Sequence, residues 1–222
     1  NAKEFFTPEE IVHKIQIDLK KPIIVFTQHS VSNKFNLAEK QLLSTLNAFD
    51  KLLSENDIQC ILTYPNNDAG GDNIYSMLES YSLNKNNVTL HQSLGRKLYW
   101  GLLNLAKDPK YRIVCVGNSS SGIKETPAFG CTVVNIGTRQ LGRLRADNVL
   151  DANYNVTEIY NAIYKCLYDD RFRDDCRKCI NPYGIGNTGS KIVEVIKNIN
   201  INDKLLTKKM TNKGIYKNGW FQ

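Results

Sequence analysis

The feature that most limits what this chain can become is an alternation of short, continuously apolar, β-branched runs with longer stretches of helical periodicity. The runs lie at 22–27, 58–64, 87–91, 112–117, 131–136 and 148–150. Between the first two, Leu42, Leu43, Leu46, Phe49, Leu52 and Leu53 recur at the spacing of one helical face within 37–55. Further helices are expected at 72–81, 95–106, briefly after Ser121, at 156–168 and at 190–199. A strand that is apolar at every position is buried on both faces, and strands alternating with helices form βαβ units. Right-handed crossovers turn such units into a doubly wound sheet. The expected fold class is therefore α/β, a Rossmann-like parallel sheet flanked by helices.

Composition narrows the function classes. With 222 residues, 41% of them hydrophobic, the chain can bury one substantial core. No run of about 18 apolar residues is present, and the first ten residues are polar and acidic where a signal peptide starts basic and turns apolar. A cytoplasmic, non-membrane protein is expected. Asn1 stands where an initiator Met is expected, so the chain reads as part of a longer protein. The net charge of +7 is interleaved with acids until the C-terminus, which argues against nucleic acid and for phosphate in some form. Four segments are expected: a lead-in at 1–21, the sheet domain at 22–187, a helix at 188–200 and a basic tail at 201–222. The tail holds Lys204, Lys208, Lys209, Lys213 and Lys217 and too few apolar residues to bury much surface, so it reads as solvated or loosely docked.

The six cysteines include a lone C-x-x-C, Cys176 and Cys179. A tetrahedral zinc site needs four ligands, so no metal site is expected, and reduced core thiols are the expected state. No cofactor is implied.

Ligands of doubly wound sheets bind at the carboxyl ends of the strands, near the point where strand order reverses. The loops there read Gln28-His29-Ser30, Pro65-Asn66-Asn67-Asp68-Ala69-Gly70-Gly71, Gln92-Ser93-Leu94-Gly95, Gly117-Asn118-Ser119-Ser120-Ser121-Gly122 and Gly137-Thr138-Arg139-Gln140. The fourth is a small-residue turn between a buried strand and a helix start. Free N–H groups and the helix dipole favour an anion at such a place, and Ser119, Ser120, Ser121 and Gly122 permit close approach and add donors. Plain helix capping explains the same serines equally well. Glu125, one turn further on, suits either a cap or a ribose diol. Pro127 should shorten or bend that helix. His29 follows the first strand on a polar loop, where a near-neutral pKa suits proton transfer and an imidazolium suits phosphate. Arg139 offers a planar cation to phosphate, although an exposed arginine is usually only solvated.

Taken together, these loops resemble the C-terminal half of the hydrolysing UDP-N-acetylglucosamine 2-epimerases, in the branch that serves sialic-acid-type biosynthesis. The resemblance rests on Thr27-Gln28-His29, Pro65-Asn66-Asn67-Asp68-Ala69-Gly70, the stretch from Gly117 to Glu125, Asn135-Ile136-Gly137-Thr138-Arg139-Gln140 continuing through Gly142-Arg143, and Tyr183-Gly184-x-Gly186. It implies the C-terminal domain of a two-domain GT-B-like fold, with UDP held by that domain and the sugar in the interdomain cleft. It further implies Ser119 and Ser120 on the diphosphate, Glu125 on the ribose, and Arg139 and His29 towards the phosphate and sugar, with His29 catalytic; Asn67 and Asp68 are weaker candidates. The implied reaction eliminates UDP across C1 and C2 and adds water to give N-acetylmannosamine, using carboxylates from an N-terminal half. The implied partners are UDP, a UDP-sugar and that half, with homo-oligomerisation left open. Ser30 departs from the proline the family often carries after the histidine, which implies a looser loop. A GT-B glycosyltransferase domain and a non-catalytic nucleotide-binding module remain the alternatives.

Overall fold

The computed structural model describes residues 4–83, 85–184 and 186–207, with the backbone alone of 216–217 and 220–221. Lys208, Lys209 and Lys213 of the tail lie outside the described residues. The chain forms two compact units, Asn1–Ile185 and Gly186–Gln222.

The first unit is built on six parallel strands: β1 (Ile23–Thr27), β2 (Gln59–Thr63), β3 (Val88–His91), β4 (Ile113–Gly117), β5 (Thr132–Ile136) and β6 (Val149–Ala152), in the spatial order β3-β2-β1-β4-β5-β6. Five fall within the apolar runs, and β6 begins in the sixth but continues two residues past it, through Asp151 to Ala152. The pleat divides each strand between two cores, because successive side chains point to opposite faces. Ile24 and Phe26 join Leu62, Val114, Val116 and Val134 on one face, where α2 (Ala38–Glu55), α3 (Gly71–Ser82) and α6 (Val156–Tyr168) cover them. Phe26 meets Phe49 of α2 edge to face, with ring centroids 5.1 Å apart. Ile23 and Val25 join Ile61, Ile113, Cys115 and Val133 on the other face, under α1 (Pro8–Ile15) and α4 (Gly95–Leu105). The apolar character of the central strands β1 and β4 follows from these two coverings.

Helix α1 lies within the stretch expected as a lead-in. Its start is a capping box: Thr7 Oγ1 accepts from Glu10 N–H at 3.3 Å, and Glu10 Oε2 accepts from Thr7 N–H at 2.7 Å. Ile11 and Ile15 are buried, and Ile11 touches the α4 backbone at Gly101. After β4 the chain makes α5 (Ser120–Lys124), stops, and resumes as a 3-10 turn over Thr126–Phe129, the interruption expected from Pro127. The eight-residue α7 (Asp170–Arg177) turns Arg173 inward, where its guanidinium bonds Asp170 and the carbonyls of Pro109 and Tyr111.

In the second unit, α8 (Thr188–Asn198) is amphipathic but buries none of its residues. Ile192, Val193, Val195 and Ile196 are each more than half exposed. Among the described residues no helix is long and apolar enough to cross a membrane.

Candidate functional site

The strand order places the reversal between β1 and β4, where the chain goes outward through β2 and β3 and then returns to the other side of β1. The two backbones leave no room for a side chain there. Thr27 pairs with Gly117, whose φ is +127°, and a Cβ there would lie 1.9 Å from the Thr27 carbonyl oxygen. Only glycine fits. The loops after β1 and β4 are then joined by Asn118, which is fully buried. Its Oδ1 accepts from His29 N–H at 2.7 Å and its Nδ2 donates to the His29 carbonyl at 2.8 Å.

Around this link gather four elements that are distant in sequence. His29 Nδ1 accepts from the Asn66 backbone N–H at 3.0 Å. Asn66 Nδ2 donates to Asp68 Oδ2 at 2.6 Å, and Arg139 Nη2 stands 3.9 Å from the same carboxylate oxygen. Arg139 Nη1 and Gln140 Nε2 both donate to the Asn118 carbonyl, at 3.2 and 2.8 Å. His29, Asp68 and Arg139 thus form one network. Asn67 is exposed and takes part in none of these bonds.

The network corrects two expectations about His29. The looser loop implied by Ser30 is not seen, because Asn118 bonds both the backbone N–H and the backbone carbonyl of His29 and Ser30 itself is buried. Nor does the ring favour an imidazolium: burial, with Arg139 adding to it, lowers its pKa from 6.5 to about 4. Nδ1 is occupied as an acceptor, so the neutral ring carries its proton on Nε2.

The Ser119–Gly122 turn follows β4. Ser119 caps α5, its Oγ accepting from Ser121 N–H at 3.4 Å, and also lies 3.1 Å from Ser121 Oγ. Both the capping and the donor-rich character expected of these serines are therefore present in one turn. Ser120 is half-buried, while Gly122 packs against β5, where a Cβ would meet Val133 at 3.4 Å.

Beside this turn opens a cavity of about 430 Å³, lined by Thr27, Thr63 and Tyr64 on one side and by Ser121, Glu125 and the start of α4 on the other. Its size falls within the range of small-molecule clefts. Ser121 and Glu125 border it, whereas His29 and Arg139 do not. The wall that sequence reasoning missed is α4. Tyr99 Oη lies 3.0 Å from Ser121 Oγ, and Trp100 Nε1 donates to Glu125 Oε2 at 2.5 Å. Arg96 borders the same cavity with its guanidinium 5.3 Å from the Trp100 ring. A signal was available: Arg96 and Lys97 occupy the first turn of α4, which holds no acid, and cations there oppose the helix dipole. Two helix starts and four strand ends converge here, at the carboxyl end of a Rossmann-like sheet.

The comparisons with known proteins narrow that class. A family model described as UDP-N-acetylglucosamine 2-epimerase matches residues 2–197, and the chain belongs to that family. It is 31% identical over 206 residues to a GDP/UDP-N,N'-diacetylbacillosamine 2-epimerase (hydrolyzing) of Campylobacter jejuni, covering 92% of this chain and 50% of the relative. It is 30% identical over 191 residues to a UDP-N,N'-diacetylbacillosamine 2-epimerase (hydrolyzing) of Legionella pneumophila, covering 86% and 46%. The chain spans about half the length of the curated relatives it matches. Its fold is similar to the solved S. aureus MnaA–UDP co-structure, with a TM-score of 0.60 and 19% identity over 84% of this chain and 46% of that one. Epimerases and glycosyltransferases of the GT-B-like kind share the sheet.

Proposed function

We propose that this chain is the UDP-binding, C-terminal half of a hydrolysing 2-epimerase acting on a UDP-linked 2-acetamido sugar. The observation that carries this reading is that, at the carboxyl ends of the central strands, Ser121 and Glu125 border a cavity of about 430 Å³ while His29 and Arg139 are tied through Asn118 to the start of the same turn. In this reading Ser119, Ser120, Ser121 and Gly122 hold the diphosphate, assisted by Arg139, and Glu125 takes the ribose hydroxyls. The nucleoside lies along the α4 wall.

Elimination removes the proton from C2 and breaks the bond from C1 to the UDP oxygen, leaving a 2-acetamidoglucal and UDP. Charge then develops on the leaving phosphate. His29, neutral with its proton on Nε2, is suited to donate to that oxygen, and the fixed guanidinium of Arg139 suits the same charge. Water then adds hydroxyl at C1 and hydrogen at C2. With UDP-N-acetylglucosamine the product is N-acetylmannosamine, a precursor for sialic-acid-type sugars. The base at C2 and the far wall of the cleft belong to the remaining half of the protein. Asn67 and Asp68 are assigned towards the sugar end, Asp68 through its approach to Arg139. The work is assigned to the cytoplasm.

The names of the two curated relatives favour a second substrate, UDP-N,N'-diacetylbacillosamine. NMR of the sugar released by the complete protein from each substrate separates the two. Release of free epimerised sugar and UDP without an acceptor is expected; a requirement for an acceptor would make the protein a glycosyltransferase. With these 222 residues alone, calorimetry should find weak UDP binding, about −4 to −6 kcal/mol, and no turnover. No heat at millimolar UDP would overturn the site.

A further inference from the structure

Trp100 does more at the cavity than fill a wall. Its indole neighbours the Phe129 ring, with centroids 6.1 Å apart, and the Arg96 guanidinium, 5.3 Å from its centroid. These neighbours favour one orientation of the ring, which aims its N–H at Glu125. That N–H is a donor only, and it meets Glu125 Oε2 at 2.5 Å. A carboxylate bonded by an oriented donor loses rotational freedom before any ligand arrives. Oε1 is left for a ligand in the cavity that Trp100 and Glu125 both line.

We propose that Trp100 is a positioning residue that presents one oxygen of Glu125 to a ribose diol and so selects ribonucleotides over deoxyribonucleotides, an inference that rests on the assignment of Glu125 to the ribose. The selectivity comes from preorganisation. A free glutamate would reach a diol only after giving up its rotamers, and the ligand would lose that part of its binding. A nucleotide without the hydroxyls gains nothing from the arrangement, so the indole should matter only for ligands that have them.

The test is calorimetry of the 222-residue chain with UDP and with 2',3'-dideoxy-UDP, using Trp100→Phe and Glu125→Ala. Phenylalanine keeps a ring beside Phe129 and Arg96 but has no N–H. Trp100→Phe should weaken UDP roughly five- to tenfold and 2',3'-dideoxy-UDP by less than about twofold. Equal weakening of both ligands would make Trp100 a packing residue and overturn the proposal. If Glu125→Ala leaves the preference for UDP intact, the ribose assignment itself fails and the proposal falls with it. If Glu125→Ala abolishes the preference while Trp100→Phe does not, the proposal alone fails. A second measurement needs no variant at position 100. In the unsubstituted chain the Trp100 indole proton, distinguished from that of Trp220 by a Trp220→Phe change, should resonate downfield and move on adding UDP but not 2',3'-dideoxy-UDP. The same movement with both ligands would also overturn the proposal.

Discussion

The side-chain amide of Asn118 bonds both backbone polar groups of His29, accepting from its N–H at 2.7 Å and donating to its carbonyl at 2.8 Å. One side chain thereby ties the loop after β1 to the loop after β4 across the strand reversal. The Asn118 backbone carbonyl extends the tie to Arg139 and Gln140.

Asn118→Ala should cost about 2–4 kcal/mol of stability, because it leaves a buried N–H and a buried carbonyl without partners. Asn118→Asp should be no milder at neutral pH, since it sets a carboxylate oxygen against the His29 carbonyl. Urea unfolding of the three proteins checks this, and an alanine variant within 0.5 kcal/mol of the parent would show that the tie is unimportant.

Ser120→Asp places a negative charge in the first turn after β4, next to the proposed diphosphate. Helix α5 itself should tolerate the change, because an acid is favourable in a first turn. UDP affinity should fall by more than about tenfold, roughly 1.4 kcal/mol, with little change in melting temperature. A smaller loss would remove the turn from the phosphate site.

His29 makes stability depend on pH in a defined window. Its folded pKa is about 4 against 6.5 for an ordinary histidine, chiefly because of burial. The unfolded chain therefore takes up the proton first as pH falls. Stability from this group is fully present above pH 6.5 and is lost towards pH 4. Allowing for the ring's partial exposure, the loss between pH 6.5 and 4.5 should be on the order of 1–2 kcal/mol. His29→Gln should remove that share of the decline. Urea midpoints at the two pH values should thus converge between parent and variant as pH falls, and two parallel declines would contradict the assignment.

Gly117→Ala should prevent folding or cost more than about 3 kcal/mol, since its Cβ would enter the Thr27 carbonyl. Gly95→Ala is the informative comparison: φ there is also positive, at +63°, but the space is open. About 1–2 kcal/mol is expected there from conformation alone. Similar losses at both positions would mean that the β1–β4 approach can relax.

The sheet was legible because strands covered on both faces leave an unbroken apolar mark, as in Ile23–Thr27 and Ile113–Gly117. Helix α1 escaped notice although Thr7, Pro8 and Glu10 spell its capping box, because it is short and lies before the first strand. Helix α7 has no apolar stripe to read: DRFRDDCR buries Arg173 and Cys176, and its arginine is satisfied by carbonyls more than sixty residues away. At the site, the loops that follow strands were found from their small polar residues. Tyr99 and Trp100 were not, since aromatic residues on a helix look like packing until Ser121 and Glu125 are seen opposite them.

The strand order also governs how this molecule can open. His29 and Asn118 are 89 residues apart, with α2, β2, α3, β3 and α4 between the strands that carry them. Closing so long a loop is slow, and the reward comes only when the central strands pair. The contact between the two loops thus depends on the pairing of the central strands β1 and β4. Local fraying should expose the ends of helices long before it separates these two loops, so their backbone amides should exchange with solvent deuterium only at the rate of global unfolding.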